Sequence, residues 1–183
     1  RGLGDVYKRQ RWVNEMNRYT VAVLVNNQFG VLNRVTSMFR RRQFNIISLT
    51  VSETESNALS RITVTFEGGE TQKQQLVNQL YKLPDVCSIK EFTPDTSVSC
   101  ELMLIKLKND SKTRSDILAA ADAFGATTMD YSKDSLMLCL TSESRKIDEF
   151  VDLMRDYEIL EICRTGNVSL EKGSTTIRQA INF

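Results

Sequence analysis

The first half of the chain alternates between strand-like runs and helix-like stripes of apolar residues. YTVAVLVN, which begins at Tyr19, predicts a buried strand. The next stripe has the 3.6-residue period of a helix: Leu32, Val35, Met38 and Phe39. NIISLTVSE and ALSRITVTF alternate polar and apolar residues, with the turn-forming TESN between them, and predict a hairpin. Residues 70–83 predict a second helix and VCSIKEF a last strand, so the predicted order is βαββαβ.

The same order of patterns returns in the second half, about 80 residues further along the chain. ELMLIKLK predicts a strand, ATTMDYS and SLMLCLT a hairpin, and EILEICRTGNV a closing strand. Helical spacing appears in two more stripes: Ile117, Leu118, Ala121 and Phe124, then Ile147, Phe150, Val151 and Met154. We therefore predict an α+β protein with two ferredoxin-like βαββαβ sandwiches in tandem. Each has both helices on one face of a four-stranded antiparallel sheet.

Changes in pattern predict where these units begin and end. Residues 1–17 lack clear periodicity and are interpreted as a non-native or disordered N-terminal extension. The first unit is predicted at 18–93 and the second at 100–171, joined by a polar, proline-containing linker at 94–99. Residues 172–183 are predicted to form a tail.

The charge balance argues against nucleic acid and membranes as partners. Lysine and arginine number 24 against 23 aspartates and glutamates, so the chain lacks the net field that gathers nucleic acid or anionic lipid. The sequence has no run of about 20 apolar residues that would predict a membrane helix. Recognition of partners is therefore expected to be local.

The residue types present exclude several classes of chemistry. The chain has no histidine, which removes the most common general base and metal ligand, so neither a metal site nor a catalytic residue is predicted. Its cysteines are widely spaced, without a CxxC pair: Cys87, Cys100, Cys139 and Cys163. This spacing favours reduced thiols in a cytoplasmic protein over disulfides.

The segment NNQFGVLNRV carries the candidate binding chemistry. Gly30 lies between the first strand and the first helix, where a residue without a Cβ permits a tight turn and close approach of another group. The amides of Val31, Leu32 and Asn33 form the positive end of that helix, a cradle for a carboxylate or a phosphate. The chain has no GxxxxGK[ST] or GxGxxG motif, which weakens a nucleotide interpretation. The alternative is that Asn27 and Gly30 only form a turn.

Asn45, at the start of the second strand, is a further candidate, although a turn alone also explains it. Gly30 and Asn45 lie near opposite ends of the first helix, about 18 Å apart, which is too far for one small ligand. The second strand is predicted at a sheet edge, and its segment IISLTV is too apolar for an unprotected edge. Antiparallel pairing of two copies would bring Asn45 of one near Gly30 of the other. We therefore predict a homodimer with a shared pocket.

Such a pocket would suit an aliphatic amino acid. The helix amides would bind its carboxylate, and the side-chain oxygens of Asn27 and Asn45 would bind its ammonium group. A short apolar side chain would contact Val31, Leu32 and Ile46.

NNQFGVLNRV, RRRQFNIISLTV and LSRITVTF together resemble the ACT domain of the regulatory (small) subunit of acetolactate synthase, also called acetohydroxyacid synthase. CELMLIKLK and EICRTGNVSLEKG resemble the C-terminal domain of that subunit, so the resemblance covers roughly residues 18–170. It implies a non-catalytic subunit of branched-chain amino acid biosynthesis that activates a large catalytic subunit and confers feedback inhibition by valine. It also implies that thiamine diphosphate, Mg²⁺ and FAD belong to the catalytic partner, with no cofactor on this chain.

The resemblance further implies a set of valine contacts: Asn27, Gly30, Val31 and Leu32 from one chain, with Asn45 and Ile46 from the paired copy. One departure from the family is Gln43, where many members have glycine. The departure is expected to alter the approach to the second strand.

Three other functions share parts of this pattern. An amino-acid-sensing ACT protein of another enzyme would differ mainly in its partner. An RNA-binding RRM domain has the same βαββαβ order, but here the third strand has Phe66 as its single aromatic, without the stacking platform of that class. An independent enzyme is hard to reconcile with the absence of histidine and of a recognisable nucleophile with its base.

Overall fold

The structure is a computed structural model and describes residues 17–180. The chain divides into two compact units. The first contains residues 17–97 together with residues 169–180, and the second is Val98–Val168. In the part of the chain described, no helix is long and apolar enough to cross a membrane.

The first unit has the predicted βαββαβ order. Its elements are β1 (Asn17–Asn26), α1 (Val31–Arg41), β2 (Asn45–Glu53), β3 (Leu59–Gly68), α2 (Glu70–Leu80) and β4 (Val86–Phe92). The strands form an antiparallel sheet in the order β2-β3-β1-β4. This order leaves β2 at an edge and confirms that part of the prediction.

Both helices of the first unit cover the same face of the sheet. Alternate residues of β1 and β3 pack into one buried cluster with residues of α1 and α2: Val21, Val23, Val25, Ile62, Val64, Phe66, Val31, Val35, Phe39, Leu76, Val77 and Leu80. Phe39 and Phe66 meet edge to face, with ring centroids 5.5 Å apart. Because strand side chains alternate between faces, the intervening residues of β1 and β3 lie on the opposite face.

The second unit repeats this architecture and confirms the predicted fold class. Its elements are β5 (Ser97–Lys108), α3 (Arg114–Phe124), β6 (Thr127–Tyr131), β7 (Ser135–Ser142), α4 (Ser144–Met154) and β8 (Ile159–Arg164). The strand order is β6-β7-β5-β8. The fully buried Met103, Leu138 and Phe150 join strand and helix residues in a separate core.

The structure draws the unit boundaries differently from the sequence. Asn17, assigned to the extension, begins β1, while residues 1–16 lie outside the described residues. Ser97, assigned to the linker 94–99, begins β5. The second unit ends at Val168 rather than at residue 171, because the segment that follows belongs to the first unit.

The predicted tail at 172–183 is also revised, since its described part is held by the first unit. A short strand β9 (Val168–Glu171) precedes it, and the amide of Lys172 donates to the carbonyl of Thr96 at 2.9 Å. The hydroxyl of the buried Ser88 donates to the carbonyl of Ile177, the first residue of a 3-10 helix (Ile177–Ala180), at 2.8 Å. These contacts are distant in sequence, and no local pattern indicates them.

Candidate functional site

Gly30 turns the chain from β1 into α1 through a left-handed conformation. It is the N-cap residue of α1, with φ of 81° and ψ of −5°. This region of backbone space strains residues that carry a Cβ, so glycine suits the position. A Cβ built here would lie 3.3 Å from Nη1 of Arg34, the flexible end of a side chain. The turn therefore needs glycine mainly for its backbone angles and leaves its outer side open.

The amides that follow Gly30 form a positive helix end without an acidic cap. The N–H of Val31 donates weakly to the carbonyl of Gln28 at 3.4 Å. Within residues 17–180, the N–H groups of Leu32 and Asn33 have no acceptor. The first turn of α1 also contains no acidic side chain. An anion bound here would accept these hydrogen bonds and would be favoured by the helix dipole.

Asn27 is fixed beside this corner by contacts with the end of β2 and the hairpin turn. Its Nδ2 donates to Oε1 of Glu53 at 3.2 Å and to the carbonyl of Asn57 at 3.0 Å. Its backbone N–H donates to the carbonyl of Ala58 at 2.8 Å. Because both donors are used, the side-chain oxygen of Asn27 is the atom left to accept a hydrogen bond from a ligand.

Arg34 and Asp85 belong to the same corner, and the sequence reasoning missed both. Nε and Nη2 of Arg34 lie 2.8 Å from Oδ2 of Asp85, while Nη1 lies beside Gly30. The signal for Arg34 was its distance of four residues from Gly30, which places it one helical turn away on the same side. Asp85 lies in the turn immediately before β4 and carries no local signal.

The other two predicted contacts lie at the far end of β2. Asn45 pairs with Glu67 and is exposed, whereas Ile46 pairs with Phe66 and packs partly against the core. The nine residues of β2 span about 26 Å at the usual rise of a strand. A single chain therefore does not bring Asn45 and Ile46 to the Gly30 corner.

The predicted residues near Gly30 differ in exposure. Val31 is 3% exposed and lies in the core, so its side chain is closed to a ligand and only its backbone can contribute to binding. Leu32 is 41% exposed on the same turn and remains accessible. The structure thus brings together Asn27, Gly30, Val31 and Leu32, and it separates them from Asn45 and Ile46.

The free edge of β2 is unusually apolar. Ile47, Leu49 and Val51 are between 36% and 43% exposed. Leu49 and Val51 pair with the core residues Val64 and Ile62, so their side chains lie on the same face of the sheet as the helices. The helices do not reach this edge strand, which leaves both side chains partly exposed. An apolar edge strand of this kind is a template for pairing with another strand.

The described residues bear on two further kinds of site, a metal site and a surface for stacking nucleic-acid bases. Between residues 17 and 180, no three cysteine, aspartate or glutamate side chains come together in a group that could hold a metal ion. Phe66, the aromatic of the third strand, is fully buried under the helices. It therefore offers no exposed face on which a nucleic-acid base could stack.

Two family models match separate parts of the chain. Residues 21–88 match a model described as the AHAS small subunit-like ACT domain. Residues 100–173 match a model described as the small subunit of acetolactate synthase. The two matches fall on the two βαββαβ units.

Individual relatives agree with these models over most of their length. The chain is 42% identical over 157 residues to a probable acetolactate synthase small subunit of Archaeoglobus fulgidus, covering 86% of this chain and 98% of that protein. It is 39% identical over 155 residues to the acetolactate synthase small subunit of Bacillus subtilis, covering 84% and 90%.

A solved structure agrees as well. The crystal structure of the acetolactate synthase small subunit from Thermotoga maritima superposes with a TM-score of 0.79 at 30% sequence identity, covering 87% of this chain and all of that one. On the combined agreement of both domain models, the relatives and the fold, the chain belongs to the family of acetolactate synthase small subunits.

Proposed function

We propose that this chain, as a regulatory small subunit, binds valine at a site shared between two copies and transmits feedback inhibition to acetolactate synthase. Membership of the family supports the regulatory, non-catalytic role and a large catalytic subunit as partner. The amino-acid effector, the homodimer and the activation of the partner are further parts of the proposal. Thiamine diphosphate, Mg²⁺ and FAD would be held by the catalytic partner rather than by this chain.

The observation that carries the proposal is the contact between Asn27 and Glu53. It ties the Gly30 corner to the last residue of β2, whereas Asn45 begins the same strand. When two copies of an edge strand pair antiparallel about a two-fold axis, the start of each lies near the end of the other. Such pairing would bring Asn45 and Ile46 of one copy to the Gly30 corner of the second. It would also cover the apolar edge of β2.

The assembled pocket would satisfy each group of valine. The free N–H groups of Leu32 and Asn33 would donate to the carboxylate. The amide oxygens of Asn27 and Asn45 would accept from the ammonium group, and Leu32 and Ile46 would contact the isopropyl group. Because the charge of Arg34 is already balanced by Asp85, neutral donors would provide most of this recognition. This avoids the heavy desolvation cost of burying an additional protein charge.

Inhibition would require that valine binding be coupled to the state of the catalytic subunit. A coupling free energy of about 1–3 kcal/mol is typical of allosteric proteins and would change activity severalfold or more. The coupling would pass through the dimer of first units, because both halves of the pocket lie there.

The decisive experiment introduces a negative charge at the corner, in holoenzyme reconstituted with the catalytic subunit. Gly30→Asp puts a carboxylate where that of the ligand would bind, so valine inhibition is expected to disappear while activation of the catalytic subunit persists. Gly30→Asn is the matched control, because asparagine has nearly the same size, tolerates a left-handed backbone and is uncharged. It is expected to retain part of the response. Full valine sensitivity in the aspartate variant would refute the site.

A further inference from the structure

A cavity lies on the face of the first sheet opposite the helices, away from the Gly30 corner. Its volume is about 530 Å³, within the usual range for sites that bind small molecules. Arg61 of β3 and both Lys90 and Phe92 of β4 form one side of it. The partners of these three residues on β1 are Leu24, Ala22 and Thr20, which alternate with the core residues of that strand. The cavity is therefore on the face that the helices do not cover.

The other wall is the segment from Ser169 onward, which packs back onto the sheet. Leu170, Glu171 and the hydroxyl residues Ser174, Thr175 and Thr176 line it. The Ser88–Ile177 and Lys172–Thr96 hydrogen bonds described above hold this wall at both ends. The cavity is thus built from two parts of the chain that are fixed to each other.

Most charged groups in the cavity are already paired. Nζ of Lys90 lies 2.7 Å from Oε2 of Glu171. Nη2 of Arg178 lies 2.7 Å from Oε1 of Glu55. These two ion pairs cancel, so the charge that remains in the cavity is that of Arg61.

Arg61 is a partly buried cation with most of its donors unused. Nη2 donates to the carbonyl of Ser169 at 2.5 Å, and the guanidinium carbon lies 5.6 Å from the ring centre of Phe92. Among the described residues, no carboxylate pairs with Arg61, and its Nε and Nη1 have no acceptor. Burial lowers the pKa of Arg61, and the nearby charge of Glu55 opposes this effect. A bound anion would offset the cost of keeping this charge away from water.

We propose that this cavity is a second ligand site, which binds a small organic anion through its carboxylate or phosphate group. The guanidinium of Arg61 donates to the oxyanion, because its planar fork of N–H groups matches two oxygens at once. The hydroxyls of Ser174 and Thr175 supply further donors. Phe92 and Leu170 contact the apolar body of the ligand. The site is independent of the proposed valine pocket, because the two lie on opposite faces of the sheet.

The test is titration calorimetry of the full chain with phenyl phosphate, phenylacetate and inorganic phosphate at constant ionic strength. We expect saturable binding of the two aromatic anions, each displacing the other, and weaker binding of inorganic phosphate. The tighter aromatic anion identifies the preferred headgroup, phosphate or carboxylate. Absence of saturable binding of all three probes up to about 20 mM would overturn the proposal, because that is weaker than a functional metabolite site requires.

Two variants locate the binding. Arg61→Met keeps an apolar stem and removes the charge, and it is expected to weaken binding about tenfold or more, the usual effect of losing a hydrogen bond to a charged group. Arg40→Met removes an exposed arginine from the last turn of α1 and is the control, with no change expected. Equal binding by the Arg61 and Arg40 variants would overturn the proposal.

A third variant tests the cavity without changing Arg61, so that misfolding of the Arg61 variant cannot account for the result. Ser174 is exposed on the cavity wall, so Ser174→Trp can fill the cavity while leaving Arg61 in place. Loss of probe binding in a variant with an unchanged circular dichroism spectrum supports the cavity as the site. Binding as tight as in the parent chain would show that the anion lies elsewhere.

Discussion

The side chain of Asn27 donates a hydrogen bond of 3.2 Å to the carboxylate of Glu53 and thereby fixes the loop before α1 to the end of the edge strand β2. Glu53→Ala removes the acceptor, so the side chain of Asn27 becomes mobile in the free protein. Valine binding would then cost the additional conformational entropy of ordering it. We expect valine to bind two- to tenfold more weakly, about the effect of one exposed hydrogen bond. Glu53→Gln keeps an acceptor and is expected to change affinity less. Calorimetric titration of both variants with valine measures the difference, and equal losses would contradict the positioning role.

Gln43, two residues after the end of α1, has a backbone conformation that normally belongs to glycine. Its φ is 56°, and the N–H groups of Gln43 and Phe44 donate to the carbonyls of Arg40 and Phe39 at 3.1 Å. This is the Schellman arrangement, in which the left-handed residue is usually glycine. Glutamine at position 43 therefore adds backbone strain at the approach to β2 while the chain still makes the turn.

Gln43→Gly is accordingly expected to stabilise the first unit. Relief of the left-handed strain is worth about 1–2 kcal/mol, and the added freedom of glycine in the unfolded chain cancels part of it. We expect a net gain of about 0.5–1 kcal/mol in the free energy of unfolding, measured by urea denaturation. Gln43→Ala keeps the strain and is the control. A glycine variant no more stable than the alanine variant would show that the turn is unstrained.

The regular parts of this fold could be predicted from sequence because their signals are local. The stripe with Val35 and Phe39 predicted α1, and the strands around Phe66 predicted the hairpin and the edge position of β2. Each of these depends on the spacing of apolar residues over a few turns or pleats, which the burial of one face imposes.

Apart from Arg34, which lies one helical turn from Gly30, the parts that were missed depend on contacts between distant residues. Asp85 reaches Arg34 from 51 positions away, and Ile177 reaches Ser88 from 89 positions away. Neither segment has a periodic pattern, because each is held by individual hydrogen bonds rather than by a buried stripe. The cavity lined by Arg61 was missed for the same reason, since its walls meet only after the chain returns to the first unit.

In the second unit, Arg164 clamps the nearly buried carboxylate of Glu101. Its Nε lies 2.6 Å from Oε1 and its Nη2 lies 2.9 Å from Oε2, while Ser144 donates to Oε2 at 2.7 Å. Arg164→Met leaves a charge that is 4% exposed without its cation. Removing one partner of a buried ion pair typically costs about 3 kcal/mol or more, and we expect a loss near the lower end because Arg164 itself is partly exposed.

The same clamp predicts a dependence of stability on pH. Burial raises the pKa of Glu101, but the hydrogen bonds from Arg164 and Ser144 outweigh this, so the pKa lies below its ordinary value. A carboxylate with a depressed pKa stabilises the fold above its unfolded pKa of about 4.3, and this contribution is lost as the pH falls through the folded pKa. The stability gap between the parent chain and Arg164→Met should therefore be full at pH 7 and shrink at lower pH. Urea denaturation at pH 7, 5 and 3 measures it, and a gap constant with pH would contradict the assignment.

If the pocket is shared between two copies, mixing two variants that each fail to bind valine has a defined outcome. Gly30→Asp spoils the corner that each copy contributes, and Asn45→Ala spoils the residue that each copy extends to the other. Either homodimer therefore has no intact pocket. In a mixed dimer both lesions fall in one pocket, and the second pocket is assembled from an unaltered Gly30 and an unaltered Asn45.

Mixing the two variants should therefore restore binding that neither has alone. Random exchange of subunits is expected to recover about a quarter of the parent number of valine sites, because half of the dimers are mixed and each has one good pocket. Co-refolding the variants in equal amounts and counting sites by calorimetry tests this directly. Each variant refolded alone in the same way is the control. If each chain held a complete site by itself, no combination of the two variants would recover any binding, because every chain in the mixture would still carry a lesion.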